Sequence, residues 1–266
     1  MPTPNAVHAR RLAGLLIALC ATPAFAAMQE KPVEWTVGKD RFSGVLVYDD
    51  AGGKRPGLLM VPDWKGVTDN AVAKAKHVAG SDYVVLVADM YGKGVRPKDD
   101  AEAKAQVGKL YADRSVLRAR AAKALEVLKA QAGKAPIDPD KVAALGYCFG
   151  GATALELARS GADIAGVVTF HGGLDTSMPA QKGAVKASLL VLNGADDKGT
   201  AGDIPAFEQE MNAARADWQF VNFSGAVHCF ALPEANKPPG CVYNERAARR
   251  GEAMMRDFLA ERFAAR

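Results

Sequence analysis

"KVAALGYCFGGATALELA", residues 141–158, sets a cysteine at the seam between two kinds of sequence. Before it, Val142 to Tyr147 make a short, nearly continuous apolar run of the kind that fills a buried strand. After it, residues 150–158 carry Ala and Leu at helical spacing, and Gly161 supplies the stop. Cys148 stands between Gly146 and Gly150. A sharp strand-to-helix turn holds its central residue in a strained backbone and lifts that side chain above the sheet. Cβ atoms two residues away would crowd such a turn, so glycine fits on both sides. The helix that follows aims unpaired N–H groups and its positive dipole end at the sulfur. That favours a thiolate and a developing oxyanion, with the N–H of Phe149 as one donor. The bare pattern G-x-C-x-G is weak. Its place between a strand and a helix sets it against the plain alternative, a small buried cysteine.

Outward from this stretch, the chain alternates. "VEWTV" and "RFSGVLVYD" alternate apolar and polar residues, as a hairpin of half-buried strands does. "PGLLMVPD", "YVVLVADM", "KVAALGY", "IAGVVTFHG", "ASLLVLNG" and "WQFVNF" read as further strands. Helices are expected near 70–80, over 101–131 with a break near Asp113, after Cys148, over 203–216 and over 244–264. Buried strands alternating with helices predict an α/β fold: a mostly parallel central sheet with helices on both faces. Ligands then bind beyond the carboxyl ends of the strands, where Asp63, Trp64, Cys148, Asp196 and Asp197 fall, with His228 shortly after the last strand.

Residues 1–27 are set aside. Arg10 and Arg11 precede the apolar run "LAGLLIALCATPAFA", which ends in Ala24-Phe25-Ala26. This is the layout of a secretory signal peptide, so a secreted or periplasmic protein is expected. The run is shorter than the roughly 20 residues a membrane span needs. Cys20 leaves with the leader. The remaining 28–266 suit one α/β domain. Removing two arginines and no acid lowers the formal charge of +4 by two, and this near balance points to neither nucleic acid nor an anionic membrane as partner. Three cysteines remain, an odd number for an oxidising compartment. Cys229 and Cys241 flank "FALPEANKPPG", whose prolines and turn-formers can fold back and pair the sulfurs, leaving Cys148 free. Three unpaired thiols is the alternative.

A thiol nucleophile needs a base, and the base an orienting acid. In this fold class the chain order is nucleophile, acid, histidine. His77 precedes Cys148 and lies in a helix, so it reads as a surface residue. His171 ends a strand before any good acid and reads as packing that satisfies a backbone group. His228 follows a plausible acid. In "LLVLNGADDKG" a turn residue three past the glycine is best placed to reach across, which favours Asp197 over Asp196; Asp175 is a third candidate. No histidine–carboxylate cluster has metal-ligand spacing, and no cofactor is expected.

The stretches Gly146-Tyr147-Cys148-Phe149-Gly150-Gly151, Asp63-Trp64-Lys65-Gly66-Val67 after "LLMVP", "VVLVADMYGKG", Asn193–Asp197 and His228-Cys229-Phe230 carry a resemblance. The chain resembles the dienelactone hydrolase family of α/β-hydrolases, from about Val33 to its C-terminal helix. The resemblance implies the α/β-hydrolase fold and a Cys148–Asp197–His228 triad. It implies Trp64 as the second oxyanion donor and Asp63 as an acid that holds the resting cysteine. Dienelactone-cleaving members place an arginine four residues after the histidine, to hold a substrate carboxylate. Here that residue is Leu232, and "DDAEAKAQVGK" offers no second arginine. Leucine cannot supply the bidentate, charge-assisted bond of an arginine. The expected substrate is therefore a small ester or lactone in a small, mainly apolar pocket, with Trp64, Tyr91 and Phe230 as lining or as ordinary packing. A ligand-binding protein on a degenerate hydrolase fold and a redox-active thiol protein are the alternative readings.

Overall fold

The computed structural model of the chain describes Met1 and residues 27–265. The leader expected over 1–27, with Cys20, thus lies outside the described residues but for its two ends. Strands β1 (Met28–Val37) and β2 (Asp40–Asp49) form the expected hairpin, Met28 facing Asp49 and Val37 facing Asp40. The remaining strands of the main sheet are β3 (Arg55–Val61), β4 (Val84–Val87), β5 (Ile137–Tyr147), β6 (Gly166–Phe170), β7 (Ser188–Gly194) and β8 (Trp218–Phe223). They join one eight-stranded sheet in the order β1-β2-β4-β3-β5-β6-β7-β8. β1, β2 and β4 pair antiparallel, and every pairing from β4 to β8 is parallel.

Helices α1 (Asp69–Ala79) and α6 (Glu245–Ala264) cover one face. α2 (Asp100–Ala112), α3 (Arg114–Lys129), α4 (Phe149–Arg159) and α5 (Ile204–Ala214) cover the other. The inner strands look uniformly apolar because both faces are buried, yet they still divide by alternation. Leu58 and Met60 of β3 join the α1/α6 layer, whereas Leu59 and Val61 join the α3/α4 layer. Asp113 breaks the 101–131 stretch as expected: it ends α2, and its carboxylate accepts from Ser115 and Val116 N–H to start α3.

All of α4 is buried. Its one acid, Glu156, receives Arg118 Nε at 2.8 Å and Arg159 Nη1 at 3.0 Å, and Arg159 also pairs with Glu210 at 2.8 Å. A charge can lie this deep only because it is paired and hydrogen-bonded. A two-stranded ribbon of β9 (Asn236–Lys237) and β10 (Cys241–Val242) lies outside the sheet. Among the described residues no helix is long and apolar enough to cross a membrane.

Candidate active site

The loops after β3, β5, β6, β7 and β8 meet at the carboxyl edge of the sheet. Cys148 follows the last residue of β5 and precedes the first of α4, with φ +53° and ψ −118°. Non-glycine residues rarely adopt this region, and a surrounding structure must impose it. The flanking glycines show how. A Cβ on Gly146 would lie 2.0 Å from the Gly150 carbonyl oxygen, and one on Gly150 would lie 2.0 Å from that of Val61. The turn is closed against β3 as tightly as backbone allows. Cys148 N–H donates to the Phe170 carbonyl (3.0 Å), pinning the turn to β6.

His228 Nε2 lies 3.1 Å from Cys148 Sγ, and its Nδ1 lies 2.7 Å from Asp197 Oδ2. Asp197 is buried, three residues past the end of β7, and its other carboxylate oxygen accepts from Gly199 N–H at 2.9 Å. Asp196 is exposed. Asp175 turns away to Arg114, whose Nη2 lies 2.8 Å from its carboxylate. Burial pulls the His228 pKa down, but the hydrogen bonds to Asp197 and Cys148 and their charges outweigh it and raise it to about 10.

The segment after His228 is held by three devices. Cys229 and Cys241 are joined by a disulfide. Val242 N–H donates to the His228 carbonyl at 3.1 Å, and Asn244 N–H to that of Phe230 at 3.0 Å. Among the described residues Cys148 is the free cysteine.

Some expected residues stand elsewhere. Phe230 does not line a pocket: it is fully buried, edge-on to His171 and Phe223 at centroid distances of 5.2 and 5.4 Å. Asp63 does not reach the sulfur. Its carboxylate accepts from Lys65 N–H at 2.7 Å, capping its own turn, and burial raises its pKa despite that bond. The resting thiol is held by His228 instead. His171 does pack beside the site, edge-on to His228 at 5.1 Å. Among the described residues no other residue hydrogen-bonds to either ring nitrogen. Burial, with the charges of His228 and Lys74, holds its pKa well below the usual value. His77 is the expected surface residue, paired with Glu252 at 2.9 Å.

Trp64 and Phe149 carry backbone N–H groups that find no acceptor among the described residues, while Phe149 itself is buried. Phe149 opens α4, where the first N–H groups have no partner within the helix, and Trp64 is half-buried, so both can meet an acceptor from outside. Tyr91, buried, donates its hydroxyl to the Trp64 carbonyl at 2.9 Å. Tyr111 and Arg114 were not singled out from the sequence. Tyr111 packs 5.9 Å from the Phe149 ring, and the buried Arg114 guanidinium lies 3.7 Å over Tyr111. The one hint was Asp175 in "HGGLDTS", the partner of Arg114. A groove of about 540 Å³ between α1 and α6, lined by Lys74, Tyr147 and Glu252 among others, lies apart from the sulfur. No cluster of three metal-ligating side chains occurs among the described residues.

The family model of the dienelactone hydrolase family matches residues 42–263. The uncharacterized protein K02A2.1 of Caenorhabditis elegans is 34% identical over 134 residues, 48% of this chain and 84% of that protein. Among solved structures, m3DLH is 37% identical, with a TM-score of 0.82 over 88% of this chain and 98% of its own. P91, a dienelactone hydrolase-like promiscuous phosphotriesterase from metagenomic libraries, is 37% identical, with a TM-score of 0.81 and the same coverage. The dienelactone hydrolase of Anabaena variabilis shares the fold at 19% identity, with a TM-score of 0.62 over 88% of this chain and 98% of that one.

Proposed function

Because the chain belongs to the dienelactone hydrolase family, we propose that it hydrolyses small, uncharged carboxylic esters or lactones through Cys148, His228 and Asp197. The observation that carries this is the unbroken line from Sγ to Nε2 (3.1 Å) and from Nδ1 to the Asp197 carboxylate (2.7 Å), at a strained turn. With its pKa raised to about 10, His228 already holds the proton shared with Cys148 at neutral pH, and Asp197 orients the ring and balances its charge. The sulfur attacks the carbonyl carbon. The carbonyl oxygen becomes an oxyanion between the N–H groups of Phe149 and Trp64, each such donor being worth ~10²–10³ in rate. As the C–O bond breaks, His228 returns its proton to the leaving alkoxide. The acyl group is left as a thioester on Cys148. Water, deprotonated by His228, then cleaves the thioester and restores the thiol.

Leu232 is buried in the α1/α6 layer, so the position that holds a carboxylate in dienelactone-cleaving members offers no charge here. That favours neutral substrates. The Cys229–Cys241 bond supports an exported protein, secreted or periplasmic. It also weighs against the redox reading, because both exchange partners of Cys148 are already engaged. The unbroken line of three side chains likewise weighs against a mere binding protein.

The test is turnover of aryl esters, lactones and thioesters by the mature protein, with Cys148→Ala and Cys148→Ser alongside. Loss of turnover in Cys148→Ala and a trapped thioester mass on the wild type are expected. Full activity in Cys148→Ala would end the proposal. A second reactivity is favoured by the 37% identity to P91. The thiolate would attack the phosphorus of a neutral aryl phosphotriester, expel the aryl oxide with the proton from His228, and be freed by water. A burst of aryl oxide, one per active site, is the expected signature.

A further inference from the structure

The two N–H groups assigned to the oxyanion belong to different loops. Trp64 lies in the turn after β3, and Phe149 opens α4 after β5. Their usefulness depends on a mutual position that neither loop sets alone. A donor misplaced by a fraction of an ångström no longer meets the developing charge.

Tyr91, in the turn after β4, touches both. Its hydroxyl donates to the Trp64 carbonyl at 2.9 Å. Its ring stacks on that of Phe149, with centroids 5.5 Å apart and planes 26° from parallel. The Trp64 loop also lies flat against it: a Cβ on Gly66 would be 3.3 Å from the Tyr91 ring. Tyr91 is in turn fixed from behind. Buried Asp89 accepts from the N–H groups of Tyr91 (3.0 Å) and Gly92 (3.1 Å) with one oxygen and from Ser43 N–H (3.1 Å) with the other. Arg120 Nη1 donates to the Met90 carbonyl at 2.8 Å. The turn is thus held on both sides, and the tyrosine projects from a rigid base.

We infer that Tyr91 is a positioning residue that sets the two oxyanion donors, Trp64 N–H and Phe149 N–H, in register with each other. Among the described residues no hydrogen bond joins it to the sulfur; it acts through the two loops it joins. Burial above all, then the nearby negative groups of Cys148 and Asp63, push its hydroxyl pKa far up, so it stays a donor across the working range. The inference rests on the ester-hydrolase reading above.

Tyr91→Phe removes the bond to Trp64 and keeps the stacked ring; Tyr91→Leu removes both. The assay pairs ester turnover with alkylation of Cys148 by iodoacetamide, which needs the thiolate but no oxyanion site. Expected is a roughly ten-fold fall in kcat for Tyr91→Phe and a larger one for Tyr91→Leu, with KM little changed. The alkylation rate and its pH profile should match the wild type in both. Unchanged kcat in Tyr91→Phe overturns the inference. So does an altered alkylation pH profile, which would place the tyrosine's influence on the sulfur. Collapse of the underlying reading looks different: Cys148→Ala would then turn over as fast as the wild type.

Discussion

Two segments bring their side chains to within 3.1 Å of each other, and they are held by opposite means. The turn around Cys148 is fixed by the absence of atoms. Gly146 and Gly150 let backbone close on backbone at distances no Cβ tolerates, and from Val142 to Arg159 every residue but the half-buried Cys148 is buried. The segment around His228 is fixed by added bonds. It sits beyond the sheet on a small ribbon, and a disulfide and two backbone hydrogen bonds tie it down. Steric closure gives one geometry and no slack. A cross-link on a looser loop gives nearly the same precision but can be loosened without unfolding the rest. An active site assembled from both should therefore be brittle on the sulfur side and graded on the imidazole side.

The comparison breaks first at the glycines. Gly150→Ala must push β3 and α4 apart, so it should destabilise by at least about 3 kcal/mol or yield no folded protein, read by urea denaturation. A stable, active Gly150→Ala would remove the closure account. Next comes Asp197→Asn, which keeps the shape but sets the wrong tautomer on His228. Turnover should fall ~10³–10⁴-fold at nearly unchanged melting temperature.

The disulfide then sharpens the contrast. The Cys229→Ser/Cys241→Ser pair should lose about 2–3 kcal/mol, with turnover reduced about ten-fold rather than abolished. Wild-type turnover would show that hydrogen bonds alone hold His228. Turnover below that of Asp197→Asn would show that the cross-link sets the base outright.

A last test is in pH. His228 titrates at 6.5 unfolded and about 10 folded, so its stabilisation is full below 6.5 and is lost as pH rises toward 10. His171 is held neutral in the fold, so the unfolded chain binds a proton there that the folded chain does not, and stability falls as pH drops below 6.5. These two residues alone thus give a maximum near pH 6.5, visible in melting temperature against pH. His171→Asn should flatten the acid limb, and His228→Asn the alkaline one.

Most of the sheet was legible because strand runs and helix periods are local signals, and the glycine-flanked cysteine is local too. The order of Cys148, Asp197 and His228 along the chain needed only the fold class. What failed depended on side-chain direction. Asp63 could point at the sulfur or cap its own turn, and the N–H of Lys65, two residues on, decides this without leaving a mark in the pattern. Phe230 follows the histidine motif and looks like a rim residue, yet the loop folds it inward against Phe223. The ribbon of β9 and β10 is too short for any periodicity to show. Arg114 hides within an alanine- and lysine-rich helical stretch, where one more basic residue reads as surface.

Pairing Cys229 with Cys241 leaves Cys148 as the one free thiol among the described residues. Titrating the intact, non-reduced protein with a coloured thiol reagent thus becomes a count of working molecules. The same count reads the fate of the first 27 residues, which hold Cys20. In denaturant without reductant, one equivalent means residues 1–27 are gone; two means they are still attached.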